Sequence, residues 1–293
     1  MARQDCRHGG HQGLSRASDH PIGGALVNPV ELVDIGANLS HDSFRQDLPE
    51  VLERAREAGV AQMVVTGASE SESREAHDIA CQYPGVLFST AGVHPHLARE
   101  WTSATAGVIR ELARSPIVVA VGEAGLDFNR DFSPRPIQEQ VFAAQLALAA
   151  ELGMPVFMHE RDAHDRFVAI LGEYQGQLGP AVIHCFTGEA AELERYLELD
   201  LHVGITGWIC DERRGMHLRE LVSRIPLERL MLETDSPYLL PRDLTPRPKS
   251  RRNEPMHLAH IVETVAACRR MDPGELAEAT TRTSRAFFGL EAP

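Results

Sequence analysis

Eight short apolar runs, rich in β-branched residues, recur along the chain and are separated by longer stretches with helical spacing. The runs cover residues 30–38, 60–68, 86–95, 117–127, 155–160, 180–188, 202–209 and 230–237. Helical spacing of apolar residues marks 48–58, 71–81, 138–152, 165–172 and 190–198 between them. A strand buried on both faces reads as a continuous apolar run, and strands alternating with helices indicate a parallel sheet of βα units. Eight such units suit a closed barrel better than an open doubly wound sheet. No glycine-rich dinucleotide fingerprint or P-loop follows the first run. The expected fold is therefore a single (β/α)8 TIM barrel over residues 30–290, with no dividing linker. Residues 1–29 are rich in Gly, His, Arg and Ser without apolar periodicity, and read as a tail.

The composition agrees with a folded enzyme-sized domain: 43% of the 293 residues are hydrophobic and 24% charged. The five cysteines are odd in number, widely spaced and without a CxxC pair, which suits reduced thiols in a cytosol rather than a disulfide framework or zinc ribbon. There is no run of 18 apolar residues and no signal-peptide-like apolar stretch, so neither a membrane span nor export is expected. Lys and Arg total 29 against 42 Asp and Glu, a net charge of −13. That balance argues against broad electrostatic binding to nucleic acid, although it says nothing of where the charges sit.

Active sites of such barrels lie at the C-terminal ends of the strands. Here those ends are polar: Asp34 and Asn38, His94 and His96, Glu123 and Asp127, His159, His184, and Asp235. A lone histidine after an apolar run is more often structural, but recurrence on one face changes the weighing. Strand alternation puts Glu123, His159, His184 and Asp235 at inward or rim positions. Two imidazoles and two carboxylates converging there suit Mg²⁺, Mn²⁺ or Zn²⁺. Asp235 could act as general base or bind the metal, and Glu123 could bridge two ions that activate water and stabilise the leaving oxygen of a phosphodiester. Glu233 faces the same side, either supporting the site or as a buried structural carboxylate.

A metal-bearing barrel of this pattern suggests the amidohydrolase superfamily. Its first-strand His-x-His is replaced here by Asp34-Ile-Gly-Ala-Asn38, and its carboxylated strand lysine has no counterpart, because the only lysine, Lys249, lies in a Pro/Arg-rich loop. The segments DIGANL, AGVHPH, GEAGLDFNR, MPVFMHERDAH, HCFTG, GITGWICDERRG, ETDSPYLLPRDLTP and SRRNEP resemble the TatD family of metal-dependent deoxyribonucleases over about residues 30–290. The resemblance implies a magnesium-dependent 3′→5′ exonuclease acting on single-stranded DNA and on RNA, cytoplasmic and monomeric, with a role in DNA repair. Mn²⁺ is an alternative ion, and one or two ions would bind. Matched by motif, the metal ligands fall on Glu123, His159 and His184, with Asp235 as a further acidic catalytic residue and His94 orienting or binding a substrate phosphate. Glu160 stands where relatives often carry Cys.

The loop after the eighth run holds Arg242, Arg247, Lys249, Arg251 and Arg252 against one acid, Asp243. Guanidinium forks suit phosphate contacts, and Arg242, Arg251, Arg252 and Arg161 are candidate nucleic-acid ligands. Trp208, Phe128 and Tyr238 could stack on unpaired bases or cap the barrel. Two other functions compete: a metal-dependent C–N or ester hydrolase of a small molecule, and a non-catalytic binding protein on a degenerate barrel. The absent strand-1 histidines and strand lysine count against the former, and the intact Glu123–His159–His184–Asp235 set against the latter.

Overall fold

The computed structural model describes residues 31–293, so the tail expected at 1–29 lies outside the described residues. Strands β1 (Leu32–Ala37), β2 (Val60–Val65), β3 (Leu87–Ala91), β4 (Val118–Asp127), β5 (Val156–Arg161), β6 (Ala181–Ile183), β7 (His202–Ile205) and β8 (Leu230–Leu232) pair in that order, all parallel. A parallel bridge between Ala37 and Ser236 brings the last strand back to the first. Asn38 N donates to Ser236 O at 2.7 Å and Asp235 N to Gly36 O at 2.8 Å, so the ring is closed by backbone just beyond β8. The expected (β/α)8 barrel is what forms.

Around the strands run α1 (Leu48–Glu57), α2 (Glu70–Cys81), α3 (Thr105–Leu112), α4 (Arg135–Leu152), α5 (His164–Gly172), α6 (Ala190–Glu198), α7 (Met216–Leu221), α8 (Leu258–Arg269) and α9 (Pro273–Phe288). Local chemistry sets several of their ends. The Ser69 hydroxyl accepts from Glu72 N at 3.1 Å to open α2, and Asp272 accepts from the first free amides of α9. Gly153, with φ of +65°, stops α4.

Two apolar layers follow from strand alternation. Val33, Ile35, Val64, Phe157, Val182 and Met231 fill the barrel interior with Phe287, Phe288 and Leu290 from the end of α9. The opposite side chains, such as Leu32, Met63, Leu87, Met158 and Ile183, pack under the helices. His202, at the start of β7, stacks edge-on against Phe287. The interior is thus plugged with hydrocarbon at the end where strands begin, and polar groups gather where they finish.

Candidate active site

The strand ends present their polar residues to one open cavity of about 950 Å³. His94, Glu123, His159, His184 and Asp235 all line it, together with Arg161. Each sits at or just past the end of its strand. Regular strand geometry ends early in β6 and β8, where Cys185 and Asp235 adopt φ of +49° and +52°, although backbone bonds such as His184 N to Met158 O and Asp235 N to Gly36 O still tie these segments to the neighbouring strands.

Glu123 is the hub. Its Oε1 lies 2.7 Å from His184 Nε2, 3.1 Å from His159 Nδ1 and 3.3 Å from His94 Nε2. Burial works against ionisation of Glu123, but the charge of His184, the facing His94 and hydrogen bonds from His159 and His184 hold its pKa well below the usual carboxylate range. His184 is held from both sides, with Nδ1 3.3 Å from Glu233 Oε2. Burial disfavours its charged form, yet the two facing carboxylates raise its pKa well above normal. His94 goes the other way: burial outweighs Glu123 and pushes it down to about 4. Asp235 is pushed up to about 7 by burial, with the charges of Glu123 and Glu233 adding to the effect, while His184 and the Asn38 amide oppose it. Asn38 Nδ2 donates to Asp235 Oδ1 at 2.9 Å and so fixes the carboxylate at the rim.

Behind this ring lies a row of groups whose roles the sequence left open. Glu233 is fully buried, and its Oε1 accepts from Cys185 N. It fits because its neighbours on both sides are glycine: a Cβ on Gly36 or on Gly204 would strike its carboxylate oxygens. Of the two readings of Glu233, support of His184 is the one its contacts describe. Asp127 Oδ2 meets His96 Nε2 at 2.7 Å and His159 Nε2 at 3.4 Å. Burial opposes its ionisation, but the two facing histidines keep it well below the normal range. Asp34 accepts from Thr234 N and Thr234 Oγ1 at 2.9 and 2.5 Å, tying β1 to the segment that carries Asp235. Burial still pushes its carboxyl up to about 7.

The residues present fit a divalent cation. One donor atom each from His94, Glu123 and His159 lies within 4.8 Å of the others, and His184 reaches the same Glu123 oxygen. His159 Nε2 is buried and, among the described residues, forms no hydrogen bond; the 3.4 Å approach of Asp127 Oδ2 is its one polar contact, so that imidazole has unspent coordinating capacity. Mixed imidazole and carboxylate donors suit Mg²⁺, Mn²⁺ or Zn²⁺, and the flanking Glu233 and Asp127 contacts are of the kind that fix the tautomer of ligating histidines. His94, expected as a phosphate ligand, thus stands among the potential metal donors.

The basic residues divide. Arg161 faces the cavity, as do Arg45 and Arg130, which the sequence did not single out. Arg242, Arg251 and Arg252 lie outside its lining. Arg252 grips Asp47 at 2.7 Å and Glu254 at 2.6 Å, with its guanidinium over the Phe44 ring, so its donors are committed to holding the chain together. Arg242 pairs with Glu212 at 3.1 Å and Asp211 at 3.5 Å. The expected phosphate role of these two arginines conflicts with those partners. Of the aromatics, Trp208 and Tyr238 line the cavity with Phe132, whereas the Phe128 ring lies under Arg135. Glu160 accepts from Tyr196 Oη at 2.8 Å and Ala163 N at 2.7 Å, which gives this substituted position an ordered place on the wall.

Known proteins place this architecture. Residues 33–289 match the model of the family described as TatD related DNase. The chain is 56% identical over 259 residues to a protein of Erwinia amylovora named 3′-5′ ssDNA/RNA exonuclease TatD, covering 88% of this chain and 100% of the relative. A protein of the same name from Klebsiella pneumoniae is 55% identical over 260 residues, covering 89% and 98%. Among solved structures, the TatD homologue YjjV of Escherichia coli superposes with a TM-score of 0.81 at 26% identity, over 89% of this chain and 99% of its own. A TatD family hydrolase from Entamoeba histolytica gives a TM-score of 0.80 at 25% identity with the same coverage. The chain belongs to the TatD-related DNase family.

Proposed function

We propose that this chain is a divalent-metal-dependent exonuclease that shortens single-stranded DNA and RNA from the 3′ end. The observation that carries the reading is the convergence of three imidazoles on one oxygen of Glu123 at the cavity floor. The names borne by relatives that are more than half identical over nearly their whole length support the substrate and direction. Glu123, His159, His184 and His94 would hold the cation, with Asp235 at its edge. Mg²⁺ is the proposed ion and Mn²⁺ an alternative, one or two per chain. When bound, such an ion polarises phosphoryl oxygens and makes water acidic enough to attack at neutral pH.

The remaining steps belong to the chain's own groups. Asn38 holds one oxygen of Asp235, leaving the other to take a proton from attacking water. Asp127 and Glu233 orient His159 and His184 and keep their rings aimed at Glu123. Arg161 and Arg130 at the wall attract the scissile phosphate and its neighbour. Tyr238 and Phe132, each about half exposed at 51% and 57%, offer faces on which a terminal base can stack. The open cavity of about 950 Å³ has room for a strand end. The enzyme is read as a cytoplasmic monomer serving DNA repair; among the described residues no helix is long and apolar enough to cross a membrane.

The test uses one oligonucleotide labelled at either end. With Mg²⁺, a 5′-labelled single strand should give a descending ladder and a 3′-labelled one a labelled mononucleotide from the first turnover. EDTA should abolish both. The opposite pattern of labels, or shortening that EDTA leaves intact, would overturn the reading.

A further inference from the structure

Outside the active-site ring, a second group of unlike donors meets on the rim of the barrel. Cys210 closes the 3-10 turn Gly207–Cys210 after β7, Asp243 lies in the loop after β8, and His260 is in the first turn of α8. One donor atom from each lies within 4.8 Å of the other two. We propose that Cys210, Asp243 and His260 form a second, structural metal site for a borderline transition cation such as Zn²⁺, separate from the active site.

The chemistry of the three donors selects the ion. Thiolate, imidazole and carboxylate together match Zn²⁺, and it is the thiolate that a hard ion such as Mg²⁺ does not take. Cys210 is fully buried; its Sγ donates to the Thr264 hydroxyl at 3.5 Å and faces Asp243. His260 Nε2 sits 2.7 Å from Asp243 Oδ1, and its Nδ1 is 4.0 Å from Glu263 Oε2, which can accept a hydrogen bond from Nδ1–H when the imidazole carries its proton there and turns Nε2 to an ion. Asp243 and His260 are partly open to solvent, so a water can complete four-coordination. Arg219, 3.5 Å from Asp243 Oδ2, neutralises part of the ligand charge and would remain on the outer oxygen. Each ion bound as Zn²⁺ displaces one proton, from the Cys210 thiol. Because that proton must leave, binding should strengthen as pH rises.

The site would tie together the two loops that flank the cavity. Cys210 follows Trp208, a cavity wall residue, and Asp243 follows Arg242, which already bridges to Asp211 and Glu212.

The experiment counts metal on the full chain. Chelated protein is incubated with Zn²⁺, passed through gel filtration and assayed for bound zinc. Cys210→Ser and His260→Gln, each shown folded by circular dichroism, should each carry one equivalent less than wild type. The second variant alters a partly exposed side chain, so it remains informative if the buried cysteine does not tolerate change. In parallel, Co²⁺ added to a Cys185→Ser chain, which lacks the thiol beside the active site, should give a thiolate-to-cobalt charge-transfer band. That band should vanish when Cys210→Ser is added. Equal zinc in wild type and His260→Gln, or a cobalt–thiolate band that persists without Cys210, would overturn the proposal.

Discussion

Glu233→Gln isolates one charge without changing the size of the side chain. The native carboxylate accepts at both oxygens: Oε1 from Cys185 N, and Oε2 from His184 Nδ1 at 3.3 Å. A glutamine keeps one acceptor and presents an NH₂ group to the other donor. Gly36 and Gly204 press so closely that the amide cannot swing away. Either Cys185 N or His184 Nδ1 must face a donor, which costs about 1.5–3 kcal/mol for a lost charge-assisted bond. His184 is the freer of the two, so it reorients and loses its aim at Glu123. Changes behind a metal-ligating histidine cost about 10–100-fold in metal affinity or activity. Glu233 also lies near the buried acids Asp34 and Asp235 and raises both. Removing its charge relieves that repulsion and offsets part of the lost bond, so melting temperature without metal should change little while activity falls. The assay is turnover on a labelled single strand over a Mg²⁺ titration, beside thermal melts in EDTA. Turnover within twofold of wild type at every Mg²⁺ concentration would refute the reasoning.

Arg161→Ala should raise KM for single-stranded DNA about tenfold with kcat little changed, since one charge-assisted phosphate contact is worth about 1.5 kcal/mol; steady-state kinetics on short oligonucleotides checks it. Arg252→Ala should do the reverse, lowering stability by about 1–2 kcal/mol through loss of the Asp47 and Glu254 pairs while KM stays put, as read by urea unfolding. His202 supplies a pH signature away from the site. Burial, with Arg229 nearby, pushes its pKa down to about 4. The folded chain therefore keeps it neutral while the unfolded chain protonates near pH 6.5. Its contribution is intact above pH 6.5 and is lost as pH falls toward 4, at about 1.4 kcal/mol per unit. Between pH 7 and 5, wild type should lose about 2 kcal/mol more than His202→Leu in denaturant titrations.

Much of the molecule was legible because buried parallel strands leave continuous β-branched runs and the barrel forces their ends together. His159 and Glu123 could be placed on one face from that alone. The C-terminal helix α9 was not legible, because its sequence ATTRTS is polar. Its hydroxyls bond back into the helix, Thr280 to Leu276 O and Ser284 to Thr280 O, and so are buried without looking apolar. The ends of β6 and β8 were overestimated, since His184 and Asp235 belong to turns rather than to strands. The basic loop misled for a different reason: arginine content shows charge but not partners, and the acid that claims Arg252 lies over 200 positions away, at Asp47. Arg45 and Arg130 were missed because each comes from a loop whose placement depends on the closed barrel.

The central claim is that the ring around Glu123, with Asp235 at its rim, performs metal-dependent hydrolysis. The most direct test measures mononucleotide release from a 3′-labelled single strand with Mg²⁺ by wild type, Glu123→Ala and Asp235→Asn, each first shown to be folded. The account predicts release by wild type and a loss of about 100-fold or more in both variants. Equal release by all three, or none by wild type at any Mg²⁺ or Mn²⁺ concentration, would contradict it.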